Sequence, residues 1–167
     1  IILTDDIKAP AKNFCDEIII SNYDNLKKID DFVSKVDFVT FEFENIPFNV
    51  LEHISMRKTV HPKPSINQIV QNRFTEKKFV NKHGIKTADY ILIKNKSDLT
   101  NDQALFPGFL KTCTLGYDGK GQYVLNNKDE IDNLSIDFKK EYIFEKKINL
   151  KKEISIIITR FFNNDCL

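Results

Sequence analysis

The sequence predicts an α/β fold, and three observations carry that reading. Short apolar runs at Ile1–Leu3, Glu17–Ile20 and Val36–Phe41 have the look of buried parallel strands. Between the second and third, Leu26, Ile29, Phe32, Val33 and Val36 recur at helical spacing. Strands that alternate with helices in this way form a parallel sheet with crossover helices. Ligands of such sheets sit beyond the carboxyl ends of the strands.

The elements follow in order. Pro10 opens a short helix-like segment that ends near Cys15. Ser21 to Asn25 is a turn cluster, with Asp24 as the candidate N-cap of the next helix. Pro47 fits the first turn of a helix through Val50, Leu51 and Ile54. Val60-His61-Pro62-Lys63-Pro64 is a rigid connector, which places a division between residues 1–61 and 62–167. Ser65, with Gln68 as its capping-box partner, then starts one long helix over 65–82, whose apolar face is Ile66, Ile69, Val70, Phe74 and Val80. Gly84 is its natural stop. Beyond it come a strand over Thr87–Ile93, a weak helix from Ser97, a strand over Phe106–Leu110, and another beginning at Tyr123. A helical Asp129–Leu134, a strand Tyr142–Glu145 and an alternating strand Glu153–Thr159 complete the chain.

Composition narrows the function. Of 167 residues, 41% are hydrophobic and 29% charged, as a packed core requires. The net charge is +1 with no basic run, which excludes a nucleic-acid footprint. No apolar stretch is long enough to cross a bilayer, and no signal-peptide pattern is present. The expected location is cytoplasmic, with neither membrane nor nucleic acid as partner. Cys15, Cys113 and Cys166 are scattered, which suits a reducing compartment and no zinc site. His53, His61 and His83 show no ligand spacing, so no metal-binding residue is assigned. Both ends read as cut: the chain opens on a strand without Met and closes in what reads as mid-hairpin. A fragment is therefore expected.

Two stretches carry chemistry. In Lys111-Thr112-Cys113-Thr114-Leu115-Gly116-Tyr117-Asp118-Gly119-Lys120-Gly121-Gln122, glycines allow backbone amides close to an anion, and a lysine stands at each end. Either it covers a phosphate or it is a hairpin turn with incidental lysines. In Thr40-Phe41-Glu42-Phe43-Glu44-Asn45-Ile46-Pro47, two carboxylates share one side of an extended chain at the ligand edge of the sheet. They either accept hydrogen bonds from a substrate or are solvated glutamates before a helix. Arg73 lies beside an apolar helical stripe, where a salt bridge or a phosphate contact are the alternatives.

The run Thr40–Pro47, then His61-Pro62-Lys63-Pro64-Ser65, Gln71-Asn72-Arg73-Phe74-Thr75-Glu76-Lys77, Gly116–Gln122, and Glu145 with Glu153-Ile154-Ser155 closely resembles the N5-carboxyaminoimidazole ribonucleotide synthetase family of ATP-grasp ligases. The resemblance covers essentially the whole chain. It implies a partial Rossmann-like pre-ATP-grasp domain followed by a partial ATP-grasp (α+β) domain. It also implies a reaction in which ATP and bicarbonate give carboxyphosphate, which carboxylates the amine of 5-aminoimidazole ribonucleotide. ATP and Mg²⁺ are the implied cofactors, with the magnesium ligands beyond Leu167, and a homodimer is the implied assembly.

The resemblance also assigns residues. Arg73 and Lys111 contact ATP phosphates, and Gly116, Tyr117, Asp118, Gly119, Lys120, Gly121 and Gln122 form a lid over them. Glu145, Lys146, Lys147 and Ile148 form the adenine hinge, and Glu153 meets the ribose. Tyr117, Asp118 and Lys120 are the catalytic candidates, with Asp118 handling the amine proton. Glu42, and less so Glu44, meet the ribonucleotide. Two departures stand out: the family commonly has arginine at the position of Cys113 and glycine at that of Leu115. Without glycine's access to positive φ, the lid is expected to be stiffer or to turn differently. The isolated fragment is expected to be inactive. The alternatives are another ATP-grasp ligase, formate-dependent glycinamide ribonucleotide transformylase or a biotin carboxylase-like enzyme, or a non-catalytic nucleotide-binding module.

Overall fold

The structure, a computed structural model, describes residues 1–101, 103–116, 121–159 and 161. Its first part is built from parallel strand pairs. β1 (Ile2–Thr4) pairs with β2 (Ile18–Ile20), and β3 (Phe38–Thr40) with β4 (Thr59–His61). A 3₁₀ turn over Pro10–Phe14 links β1 to β2. Helix α1 (Leu26–Ser34) crosses from β2 to β3, and α2 (Phe48–Ser55) from β3 to β4. Parallel neighbours need such crossovers, because a tight turn cannot return the chain to the same end.

One core serves this part. Ile29, Phe32 and Val33 of α1 and Val50, Leu51 and Ile54 of α2 are buried with Ile19, Val39 and Val60 of the strands. The helical spacing of these residues puts them on one side of each helix. The N-cap of α1 is Asn25, whose side chain accepts from the Lys28 amide, and not Asp24. Asp24 lies one residue too early to reach that amide.

The long helix expected over 65–82 is two helices. α3 runs over Pro64–Val70 and α4 over Arg73–Lys82. Asn72, in extended conformation, accepts from the amides of Phe74 and Thr75 and so caps α4 anew. Ser65 is not the start either: Lys63 is the N-cap residue and Pro64 opens α3. α4 stops as expected, with Gly84 at φ 79° just beyond its end.

The second part is a four-stranded antiparallel sheet of order β5-β8-β6-β7, formed by Tyr90–Ile93, Tyr142–Lys146, Gly108–Thr112 and Gln122–Leu125. One of its faces is covered by α5 (Lys96–Asn101) and by a 3₁₀ helix over Lys128–Asn133, close to the helical segment expected over Asp129–Leu134. Leu99, Leu105, Leu110, Leu125, Ile131 and Phe144 fill that core. Gly108 is required there, because a Cβ would stand 2.5 Å from the Phe144 ring and 2.8 Å from the Glu145 carbonyl oxygen.

The alternating stretch Glu153–Thr159 is not a strand among the described residues. Ile154, Ile156, Ile157 and Ile158 are all exposed, so neither parity has a face to bury. Alternation supplies a strand pattern, but a strand exists only where another pairs with it.

Candidate functional site

The site grows from the end of β6. β6 lies between β8 and β7, with Phe109 opposite Glu145 and Lys111 opposite both Gln122 and Ile143. Residues 109 and 111 share one face of β6, and 143 and 145 the same face of β8. Lys111 Nζ therefore reaches diagonally to Glu145 Oε2, at 3.0 Å. From α4, Lys77 Nζ reaches the other carboxylate oxygen, Oε1, at 3.6 Å. Glu145 is 8% exposed, and a carboxylate so buried requires paired charge.

The foot of the glycine loop is held by Arg73. Its guanidinium donates to the Thr112 carbonyl at 2.8 Å and also to the Gly116 carbonyl. Its backbone amide donates to the Cys113 carbonyl at 2.9 Å. In this arrangement Arg73 braces the loop through the planar fork that lysine lacks. Leu115 takes φ 58°, the left-handed conformation that glycine would adopt without penalty, and its side chain is exposed. The turn thus keeps a glycine-like geometry in spite of the leucine. Gly121, at φ 71°, closes the loop's far side, and a Cβ there would stand 3.0 Å from the Thr112 side chain. Thr112 Oγ1 is buried without a hydrogen-bond partner among the described residues. Tyr117, Asp118, Gly119 and Lys120, which include all three catalytic candidates, lie outside the described residues.

The opposite wall comes from the first part of the chain. Glu42 and Glu44 are exposed, in the irregular stretch between β3 and α2, and line an open cavity of about 260 Å³ with Phe43 and Asn45. Gln71 Nε2 donates to the carbonyls of Glu44 (2.7 Å) and Ile46 (2.5 Å), and Asn67 Nδ2 to that of Ile46 (3.1 Å). A second cavity, of about 100 Å³, is bounded by Glu44, Asn45, Gln71, Arg73, Glu76 and Gly116, so the carboxylate turn and the loop foot face one cleft. Burial, with the charge of Glu44 second, raises the Glu76 carboxyl above its ordinary range. Burial also pushes the Cys113 thiol up to about 11, with Glu141 adding to it.

Of the hinge residues, Lys146 donates its amide to Asp89 O (2.9 Å) and Lys147 to Pro107 O (2.8 Å). The Ile148 amide has no such partner among the described residues, and Ile148 is 51% exposed. Glu153 is exposed and makes no ion pair among the described residues. The structure therefore brings together Arg73, Lys111, Gly116, Gly121, Gln122 and Glu145, and leaves Glu153 apart. The sequence reading gave no role to Lys77, Asn67 and Gln71, although Gln71 and Lys77 lie in the run that carries the resemblance. Glu145 was a signal for the first, as an acidic residue directly after the apolar run Tyr142–Phe144; nothing in the local pattern of α3 or at its C-cap announced the other two. Among the described residues no three His, Cys, Asp or Glu side chains gather as metal ligands, and no helix is long and apolar enough to cross a membrane.

This chain belongs to the ATP-grasp family: residues 78–167 match the ATP-grasp domain, and residues 1–71 match the ribonucleotide synthetase preATP-grasp domain. Its similarity to individual proteins is narrower. N5-carboxyaminoimidazole ribonucleotide synthase of Staphylococcus aureus (strain COL) is 32% identical over 98% of this chain and 45% of its own length. The protein of the same name from Brucella melitensis biotype 1 is 33% identical over 96% of this chain and 46% of its own. Among solved structures, an ADP complex of N5-carboxyaminoimidazole ribonucleotide synthetase superposes with TM-score 0.90 at 34% identity, over 99% of this chain and 45% of that one. The Staphylococcus aureus enzyme complexed with ADP gives TM-score 0.88 at 31% identity, over 98% and 45%. The chain thus spans a little under half the length of these relatives.

Proposed function

We propose that this chain is part of an ATP-grasp ligase that carboxylates 5-aminoimidazole ribonucleotide, using ATP and bicarbonate by way of carboxyphosphate. The observation that carries it is the cavity that the loop foot shares with Glu44 and Asn45 of the carboxylate turn, which sets a nucleotide site beside a site for an amine substrate. Relatives similar over nearly the whole chain, two of them solved with ADP, add support.

The roles divide by charge. Lys111, held by Glu145, offers its ammonium to a phosphate. The loop from Gly116 to Gln122 lays its amides over the same group and excludes water from carboxyphosphate. The Ile148 amide donates to the edge of adenine, Lys146 and Lys147 fix the hinge, and Glu153 takes the ribose hydroxyls when the stretch after β8 is packed. Arg73 reaches phosphate only through the loop it braces or by exchanging a carbonyl for it. Glu42 and Glu44 accept from the ribonucleotide, and Tyr117, Asp118 and Lys120 face the reacting groups, Asp118 taking the amine proton.

Thr112 Oγ1, without a hydrogen-bond partner among the described residues, and the donors of Lys111 that Glu145 does not use fit a nucleotide. Among the described residues no cluster of carboxylates offers Mg²⁺ a ligand set. The domain division is proposed at 61/62, with α3 bridging the two parts. A cytoplasmic enzyme, a homodimer, and no nucleic-acid or membrane partner complete the reading.

The test is ADP release by the protein from the complete reading frame. Release that requires both bicarbonate and aminoimidazole ribonucleotide supports the proposal; release driven by formate overturns it. The 167-residue chain alone should not turn over.

A further inference from the structure

Tyr90, Glu145 and Phe109 stand in one row across three strands, since Tyr90 pairs with Glu145 and Phe109 with Glu145 on the other side. Cross-strand partners place their side chains on one face of the sheet. A lysine lies over each flank of this row. Lys77 Nζ is 5.6 Å from the centroid of the Tyr90 ring, and Lys111 Nζ is 5.6 Å from that of Phe109. Each ammonium also meets a different oxygen of Glu145. The two lysines therefore sit in matched environments: a ring on one side, one half of a shared carboxylate on the other. Their side chains are 19% and 26% exposed, and that of Glu145 only 10%.

Two cations share one anion here. An ammonium has three donors, and Glu145 supplies one oxygen to each. The rings favour the cations without accepting their charge-assisted hydrogen bonds. The remaining donors need an acceptor that brings several oxygens and negative charge, which is what a phosphate chain brings.

We infer that Lys77 is a second phosphate-binding residue beside Lys111, and that Glu145 is a positioning residue that aims both ammonium groups at one polyphosphate. This rests on the nucleotide-site reading above and adds residues to it. α4 then contributes a side chain to the site directly, besides Arg73 at its start. Glu145 does not touch the nucleotide through its carboxylate; it fixes where the two charges stand.

The test is equilibrium binding of three probes to the protein from the complete reading frame: ATP, inorganic tripolyphosphate and adenosine. Lys77→Met keeps the aliphatic stem and removes the charge. It should weaken ATP and tripolyphosphate about tenfold, the worth of one charged hydrogen bond, and leave adenosine unchanged. Lys77→Arg should recover most of that loss. Glu145→Gln should weaken the same two probes, and Lys77→Met added to it should cost less than it does alone, because the two act as a unit. ATP binding by Lys77→Met equal to wild type overturns the inference and leaves the nucleotide site standing. Equal loss for ATP and adenosine also overturns it, since that marks a structural role. Failure of the unaltered full-length protein to bind ATP overturns the nucleotide-site reading and this inference together.

Discussion

Gln71 and Arg73 stand on either side of the Asn72 cap and hold opposite walls of one cleft. Gln71 bonds the carbonyls of Glu44 and Ile46 in the first part of the chain. Arg73 bonds the carbonyls of Thr112 and Gly116 in the second. The break between α3 and α4 makes this possible. In one continuous helix, residues two apart point to different sides of a single cylinder. With the axis broken at Asn72, each side chain is aimed from the end of its own helix.

Gln71→Ala and Arg73→Lys should therefore loosen different loops. Each should cost roughly 1–2 kcal/mol, as carbonyls lose their donors or, for lysine, the fork that reaches two at once. Amide exchange should quicken around residues 44–46 in the first variant and around 112–116 in the second. The same pattern in both would refute the division.

How much of this was legible depends on what each residue packs against. The faces Ile29-Phe32-Val33 and Val50-Leu51-Ile54 were readable because their period alone selects a buried side. The break at Asn72 was not, because the apolar positions continue in phase from Ile66 to Val80 and mask a cap that acts within a single turn. Asn67 was hidden for the opposite reason. It is 2% exposed but polar, and only the carbonyl of Ile46, far off in sequence, explains its burial. The loop foot was readable in kind from its glycines. That Leu115 would keep the left-handed turn was not, because the gain that offsets the strain comes from Arg73 on another element.

Leu115 carries a measurable cost. A left-handed non-glycine residue is strained by about 1–2 kcal/mol, and this side chain is 70% exposed, so it recovers little by packing. Leu115→Asn, which tolerates that conformation without glycine's entropy, should raise the midpoint of chemical unfolding. Leu115→Val, branched at Cβ, should lower it. A midpoint unchanged in both would mean the turn relaxes freely.

Cys113 should be chemically silent in the folded protein. It is 2% exposed, and burial holds its thiol at about 11. At pH 8 only about one thiol in a thousand is then ionised, and the thiolate is the reactive form. Iodoacetamide should modify Cys15 well before Cys113, which it should reach only on unfolding, as read by peptide mass spectrometry.

Glu76 should make stability depend on pH in a defined direction. Its folded carboxyl is raised by burial and by Glu44, against the weaker pull of Arg73 and Lys77. Between the unfolded value, about 4.3, and the raised folded one, the folded state binds more protons. Stability therefore falls as pH climbs through that window and stays lower above it. Glu76→Gln removes the charge without removing the shape, so it should be more stable than wild type at pH 7. The difference should close toward pH 3, where the wild-type carboxyl is protonated in both states. Thermal unfolding at several pH values reads this directly. A Gln variant less stable at pH 7 would show that Arg73 and Lys77 use the Glu76 charge more than burial opposes it.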